Sequence, residues 1–244
     1  MLRKLNVESF VSVPPPPVPW VAYPSLACKG MLSVVSAKPG MGKTWLSLAV
    51  ATALSSQRKI AGMSNGGKPH QVIYIDAENG EGVLRRRIYA LKCNPSLLDI
   101  YDAPGFTLDN KDELYMLIKM SNYPSLVVFD SFAKMWHGDE NDKDAVTTVL
   151  GGVREILQET GCAGMLLHHN GKNSRVYRGS GAVAAECEIV IQMNDKDSCV
   201  YDRVLTWEKC RPDAAPDQFY FNLREIIGNT QPCNCMLCSS YEQE

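Results

Sequence analysis

The chain has 244 residues, 45% of them apolar and 21% charged, with a net charge of −2. That is ordinary globular composition, enough for one large domain or two small ones, and it excludes a globally basic nucleic-acid binder: any such site must be a local patch. No apolar run approaches the length of a membrane span, so no membrane partner is expected. Arg3 and Lys4 are not followed by the apolar core of a signal peptide, and the nine scattered cysteines are odd in number, which together point to a reducing, cytoplasmic compartment.

Residues 1–30 read as a Pro-rich N-terminal arm. Its stretch Val13-Pro14-Pro15-Pro16-Pro17-Val18-Pro19 is extended polyproline-like chain, a passive spacer or a strap lying on a neighbouring subunit. Trp20, Val21 and Leu26 begin packing on the core, and a turn at Gly30 leads into the first strand. Leu32 to Val35 is a short apolar run of the kind that makes a buried strand. Ala37-Lys38-Pro39-Gly40-Met41-Gly42-Lys43-Thr44 follows, then an apolar, helix-forming segment from Trp45 to Leu54. This is G-x-x-x-x-G-K-[ST] with alanine at the first position, in the strand–loop–helix setting a phosphate-binding loop requires. Gly40 and Gly42 let backbone N–H groups turn inward around a phosphate, and the helix N-terminus adds positive potential. Lys43 is placed to reach the β and γ phosphates of ATP, and the Thr44 hydroxyl to ligate Mg²⁺.

Ser64 to Pro69 is loop by composition, and Gln71 to Asp76 a second strand. Glu78, just past that strand, falls on the ligand side of a parallel α/β sheet and is a candidate to orient or deprotonate the attacking water. The competing reading is a plain acidic residue ahead of the helix from Glu81 to Cys93. Arg85-Arg86-Arg87 on that helix reads as a solvated or subunit-facing surface. Leu97 to Tyr101 is a short strand and Lys111 to Met120 a helix. Ser125 to Ser131 then carries four apolar residues ending in Asp130, the pattern of a Walker B strand, whose buried carboxylate sits beside the Mg²⁺.

His137 to Asp144 is a polar loop, and Ala145 to Thr160 a helix with Val146, Val149, Val153, Ile156 and Leu157 on one face, ended by Gly161. The strand from Ala163 to Asn170 ends in His168 and His169. Neighbours on a strand point to opposite faces, so one of the two looks at the nucleotide; His169 is the choice for sensing the γ-phosphate. Gly171 to Gly181 holds Lys172, Arg175, Tyr177 and Arg178 and no acidic residue. It reads as a mobile cationic loop: its charges can track a phosphate backbone and Tyr177 can stack on a base, the alternative being a plain surface loop. Glu188 to Met193 is another strand, and Arg203 to Trp207 with Gln218 to Leu223 a closing antiparallel pair. Between them Lys209 and Arg211 share one side of an extended segment, with no obvious partner carboxylate. Residues 228–244 form a Cys-containing flexible tail, in which Cys233, Cys235 and Cys238 offer three thiolates for zinc, Cys210 being a distant fourth; a metal-free tail is the competing reading.

With these pieces placed, the chain resembles the RecA-like hexameric ATPases, and within them the RepA-like plasmid and phage replicative helicases and the ATPase domain of DnaB-type helicases. The resemblance covers roughly residues 18–225. It rests on the Ala37–Thr44 loop, Glu78, the Asp130 strand, His168-His169, Arg178-Gly-Ser-Gly-Ala-Val followed by Glu188-Ile-Val-Ile, and Lys209-x-Arg211. It implies an α/β fold: a RecA-like P-loop NTPase core over 31–227, a mostly parallel twisted sheet flanked by helices, with C-terminal antiparallel strands. It implies that Glu78 is the catalytic glutamate and that His169 links the γ-phosphate to DNA-facing loops. Lys209 and Arg211 then resemble a finger pair entering the next subunit's ATP site, and Lys172 to Arg178 the segment facing single-stranded DNA in a central channel. The family usually has Asp where this chain has Glu188, which bears on the packing of that strand. The function so implied is ATP-driven unwinding of or translocation on DNA by a homo-oligomeric ring, hexameric by analogy, in replication of a plasmid, phage or other mobile element. Any primase or replication initiator would be a separate protein. The alternatives are a RecA-like recombination, repair or regulatory ATPase that binds DNA without unwinding it, and an ATP-binding assembly protein that touches no DNA.

Overall fold

The computed structural model describes residues 12, 14–56, 58–64, 67–94, 96–169, 181–196 and 200–227. Two short strands, β1 (Trp20–Ala22) and β2 (Ala27–Cys28), pair antiparallel with each other. Val21, Ala22, Leu26, Ala27 and Cys28 are buried, so this end of the arm is already part of the core. The first strand of the main sheet, β3 (Leu32–Ala37), is buried at all six positions, as a central parallel strand covered on both faces must be. It runs into the phosphate-binding loop and then into α1 (Lys43–Ser56), which is buried along most of its length.

The chain continues through β4 (Val72–Asp76), α2 (Glu81–Leu91), β5 (Leu98–Asp102), α3 (Lys111–Met120), β6 (Leu126–Asp130), α4 (Phe132–Met135) and α5 (Lys143–Thr160). It then forms β7 (Ala163–His169), α6 (Gly181–Glu186), β8 (Ile189–Asp195), β9 (Asp202–Cys210), β10 (Gln218–Asn222) and α7 (Leu223–Ile227). Eight strands share one sheet in the order β10-β9-β8-β3-β7-β6-β4-β5. The six from β8 to β5 are parallel, and β9 and β10 extend the β8 side antiparallel.

Alternate strand residues enter separate cores. Val35, Tyr74, Val128, Leu167 and Ile191 face α1, α2, α7 and the β1–β2 pair. Val34, Ile75, Phe129, Leu166 and Val190 face α3, α4, α5 and α6. This is a three-layer α/β/α sandwich, and it puts the C-terminal ends of β3, β4, β6 and β7 along one edge, where ligands of such sheets bind.

Element ends differ from expectation where caps decide them. α5 starts two residues before Ala145 because the Asp142 carboxylate accepts from the N–H groups of Asp144 and Ala145, both at 3.1 Å. Gly161 closes the same helix at φ +71°, as its sequence suggests. β9 runs on through Cys210, so Lys209 lies within a paired strand and not in a connection. Among the described residues no helix is long and apolar enough to cross a membrane.

Candidate active site

The phosphate-binding loop leaves β3 at Ala37 and enters α1 at Lys43. Gly40 (φ +79°) and Gly42 (φ +94°) both occupy the left-handed region, which lets the loop close around its own amides. The Lys43 ammonium is drawn into this ring: Nζ donates to the carbonyls of Ala37 at 3.1 Å and Lys38 at 3.4 Å. Burial lowers its pKa to about 8, against the opposing pull of Glu78 and Asp130. Two later elements brace the loop from behind. Arg203 Nε on β9 donates to the Met41 carbonyl at 2.9 Å, and a Cβ on Gly42 would meet the Leu223 side chain at 3.0 Å.

β4 and β6 supply the carboxylates. Asp76 Oδ1 accepts from the N–H groups of Glu78 at 2.9 Å and Asn79 at 3.0 Å, which fixes the turn that presents Glu78. Asp130 is buried at the end of β6, and Tyr74 Oη donates to its Oδ2 at 2.8 Å. Burial raises its carboxyl to about 6; bonds from Tyr74 and the Thr44 hydroxyl oppose this, and Asp76 and Glu78 reinforce it. Tyr74 is itself held by Ser47 of α1 at 2.8 Å, and burial beside Asp130 pushes its phenol far up, so it stays a donor.

His169 joins the parts. Its Nδ1 lies 3.1 Å from Lys43 Nζ and its Nε2 lies 3.2 Å from Glu78 Oε2. A lysine ammonium only donates, so Nδ1 is the acceptor and Nε2 carries the proton toward the carboxylate. Ser131 Oγ donates to the same Glu78 oxygen. The bond from His169, then that from Ser131 and the charge of Lys43, overcome partial burial and hold the Glu78 carboxyl down at about 2. His168 points the other way, as strand alternation requires: it is buried against Phe132, with Nε2 3.2 Å from Glu140.

Gly40, Gly42, Lys43, Thr44, Trp45, Glu78, Arg87, Asp130 and His169 thus line one cleft. The set fits nucleotide and Mg²⁺ on its own chemistry. The left-handed glycines and ringed ammonium suit a phosphate, and the Thr44 hydroxyl beside the Asp130 carboxylate is an all-oxygen donor pair for a hard cation. Sequence reasoning missed Tyr74, Asn79, Ser131, Arg203 and the inward turn of Arg87. Strand pairing brings Tyr74, Ser131 and Arg203 here, the packing of α2 on Trp45 brings Arg87, and the turn after β4 brings Asn79; Ser131, directly after Asp130, had a positional cue.

Lys209 and Arg211 are elsewhere. In the antiparallel register Lys209 is level with Val190, and the Arg211 N–H bonds the Glu188 carbonyl, at the end of β8 that pairs with Ser33. They are separated from their own phosphate-binding loop by the length of β3, about 15 Å at a strand's rise per residue. Lys209 Nζ donates to the carbonyls of Ala184 and Ala185, each at 3.0 Å, at the end of α6. A partner carboxylate for Arg211 does exist: Glu188, at 3.7 Å. Glu188 is buried, pairs with Arg154 at 2.6 Å, and accepts from the Leu32 N–H at 3.0 Å. A side chain one methylene longer than Asp is therefore accommodated by bonding across to β3. Lys172, Arg175, Tyr177 and Arg178, and the cysteines Cys233, Cys235 and Cys238, lie outside the described residues.

Fold and cleft together define a RecA-like P-loop ATPase. The described region is similar to a KaiC-like protein from the hyperthermophilic archaeon Pyrococcus horikoshii (TM-score 0.62, 15% identity, 82% of this chain and 91% of that one). It is also similar to the ATPase domain of G40P (TM-score 0.60, 13% identity, 79% of this chain and 81% of that one). The family model for an AAA domain, AAA_25, matches residues 1–175, and the chain belongs to that family. No curated protein matches it in sequence.

Proposed function

We propose that the chain is an ATP-driven DNA helicase or translocase of a mobile genetic element, working as a homo-oligomeric ring, hexameric by analogy, on single-stranded DNA during replication. The observation that carries this reading is the position of His169. It touches the Lys43 ammonium and the Glu78 carboxylate at once, and it is followed directly by the segment bearing Lys172, Arg175, Tyr177 and Arg178. A side chain so placed can report the state of the terminal phosphate to a cationic segment suited to a nucleic-acid backbone.

In this reading Lys43 and the loop amides bind the phosphates, and Glu78 orients or deprotonates the attacking water. Thr44 and Asp130 would hold Mg²⁺, which supplies charge neutralisation at the phosphates. Lys209 and Arg211 face away from their own cleft, so they act, if at a cleft, at that of the next copy. Such a contact is heterologous and generates a ring or a filament.

The test is strand displacement on a forked duplex, run beside ATP hydrolysis with and without oligo-dT. We expect ATP-dependent displacement and stimulation by the oligonucleotide, with stimulation lost in Arg175→Ala/Arg178→Ala. Stimulation without displacement favours a DNA-bound ATPase that does not unwind. Hydrolysis indifferent to DNA ends the DNA reading and leaves an assembly ATPase.

A further inference from the structure

Three arginines follow one another on α2, and they do not share an environment. Arg85 and Arg86 are exposed, whereas Arg87 is half-buried and lines the nucleotide cleft. Its guanidinium stands 5.4 Å from the centre of the Trp45 ring. Its Nη1 donates to Asn79 Oδ1 at 3.0 Å. The amide nitrogen of Asn79 in turn donates to Asp76 Oδ1 at 3.1 Å and Asp130 Oδ2 at 3.3 Å. One amide therefore separates Arg87 from the Walker B carboxylate.

The charges of the lining give this arginine a task. Lys43 and Arg87 are its cations, and Glu78 and Asp130 its carboxylates. Without Arg87 the lining carries one more negative than positive group where a polyanion must enter. A guanidinium offers five donors in a fixed plane, and a ring beneath it holds that plane at little entropic cost. Its acceptor on Asn79 is a neutral amide, and a phosphate oxygen is the stronger acceptor by its charge. Location selects which phosphate: Arg87 shares its side of the cleft with Glu78 and, through Asn79, with Asp130. Trp45 directly follows Thr44, so the ring rides on the phosphate cradle itself.

We propose that Arg87 is a phosphate-contacting residue supplied by the same chain, which separates triphosphate from diphosphate by exchanging the Asn79 amide oxygen for oxygens of the γ-phosphate. The proposal rests on the reading of this cleft as an ATP-hydrolysing site. In the exchange Asn79 loses its donor from Arg87 and keeps its own bonds to Asp76 and Asp130. Trp45 loses or changes the cation above its ring, which makes the event visible by fluorescence.

The experiment uses the full chain as wild type, Arg87→Ala, Arg87→Lys and Lys43→Ala, with the exposed neighbour Arg86→Ala as control. Calorimetry measures a non-hydrolysable ATP analogue and ADP; steady-state kinetics measure turnover; emission is recorded with and without Trp45→Phe to isolate that ring. We expect Arg87→Ala to weaken the analogue about 10- to 100-fold, the range of a lost charge-assisted bond, while ADP stays within about twofold. Turnover should fall, and the analogue-specific change in Trp45 emission should vanish. Arg87→Lys should recover part of the analogue affinity without restoring wild-type emission, and Arg86→Ala should match wild type. Equal losses for analogue and ADP, or unchanged affinities with unchanged turnover, overturn the proposal. Failure of the underlying reading has a different signature: wild type that does not bind the analogue, or Lys43→Ala that hydrolyses ATP as wild type does.

Discussion

Ser131 donates its hydroxyl to Oε2 of Glu78, the same carboxylate oxygen that meets Nε2 of His169. The two residues come from neighbouring strands: Glu78 from the turn after β4, Ser131 from the end of β6. Glu78 is thus anchored through one oxygen, and its aim is set by residues outside its own turn.

Removing the carboxylate and removing its anchor should separate kinetically. Glu78→Gln is expected to retain ATP binding and lose about 10²- to 10⁴-fold in kcat, the usual worth of a positioned base. Ser131→Ala should lose about tenfold in kcat with little change in KM, because one bond to a charged group is removed while the phosphate ligands stay. Steady-state ATP hydrolysis checks both.

The same network has a pH signature. His169, then Ser131 and Lys43, hold the Glu78 carboxyl near 2, below its ordinary 4.5. A depressed acid binds fewer protons in the folded state than in the unfolded one, so its stabilisation is complete above pH 4.5 and is lost as pH falls from there toward 2. Thermal melts of wild type and Glu78→Gln should therefore keep a constant gap at neutral pH that narrows below about pH 4.5. A gap that widens on acidification would contradict the network.

Glu188 is a stability residue at a strand entrance. It joins Arg154 at 2.6 Å, Arg211 at 3.7 Å and the Leu32 N–H at 3.0 Å. Glu188→Ala leaves Arg154 with its other carboxylate, Glu186 at 3.0 Å, but removes the acceptor of the Leu32 N–H on the central strand, and should cost about 2 kcal/mol in denaturant unfolding. Glu188→Asp, one methylene shorter, should cost less than the alanine change.

Completion of the cleft by a second copy can be tested by mixing. Arg211→Ala and Lys43→Ala proteins should each be inactive, and mixtures should regain hydrolysis at interfaces pairing an intact cleft with an intact Arg211. Activity that stays at the sum of the two separate proteins would rule out a role for Arg211 in trans.

The legible part of the molecule was the part encoded locally. The Ala37–Thr44 loop, the apolar strands and the amphipathic α5 are written in consecutive residues, and the structure places them within a few positions of expectation. Strand alternation implied that only one of His168 and His169 faces the cleft, without saying which; His169 lines it and His168 is buried on the other face. What could not be read depends on which strands are neighbours. Tyr74 touches Asp130 because β4 pairs with β6, and Arg203 reaches Met41 because β9 is folded back beside β8. Arg87 looked like one of three equivalent surface charges, and only the orientation of α2 against Trp45 distinguishes it. The Glu188–Arg211 pair was missed because the two residues lie on different elements, joined at the β8–β9 entrance.

The strand that launches the phosphate-binding loop is made early and sealed late. β3 is bordered by β7 and β8, whose residues begin at 163 and 189. The family match ends at 175, before β8, β9 and β10. A nascent chain released at that point would carry the whole loop and both carboxylates, yet expose one side of β3 as a bare hydrogen-bonding rim, and it would lack the Arg203 brace on Met41. Such an edge recruits other strands, so fragments cut there should clump during synthesis, and useful truncations must extend past residue 222.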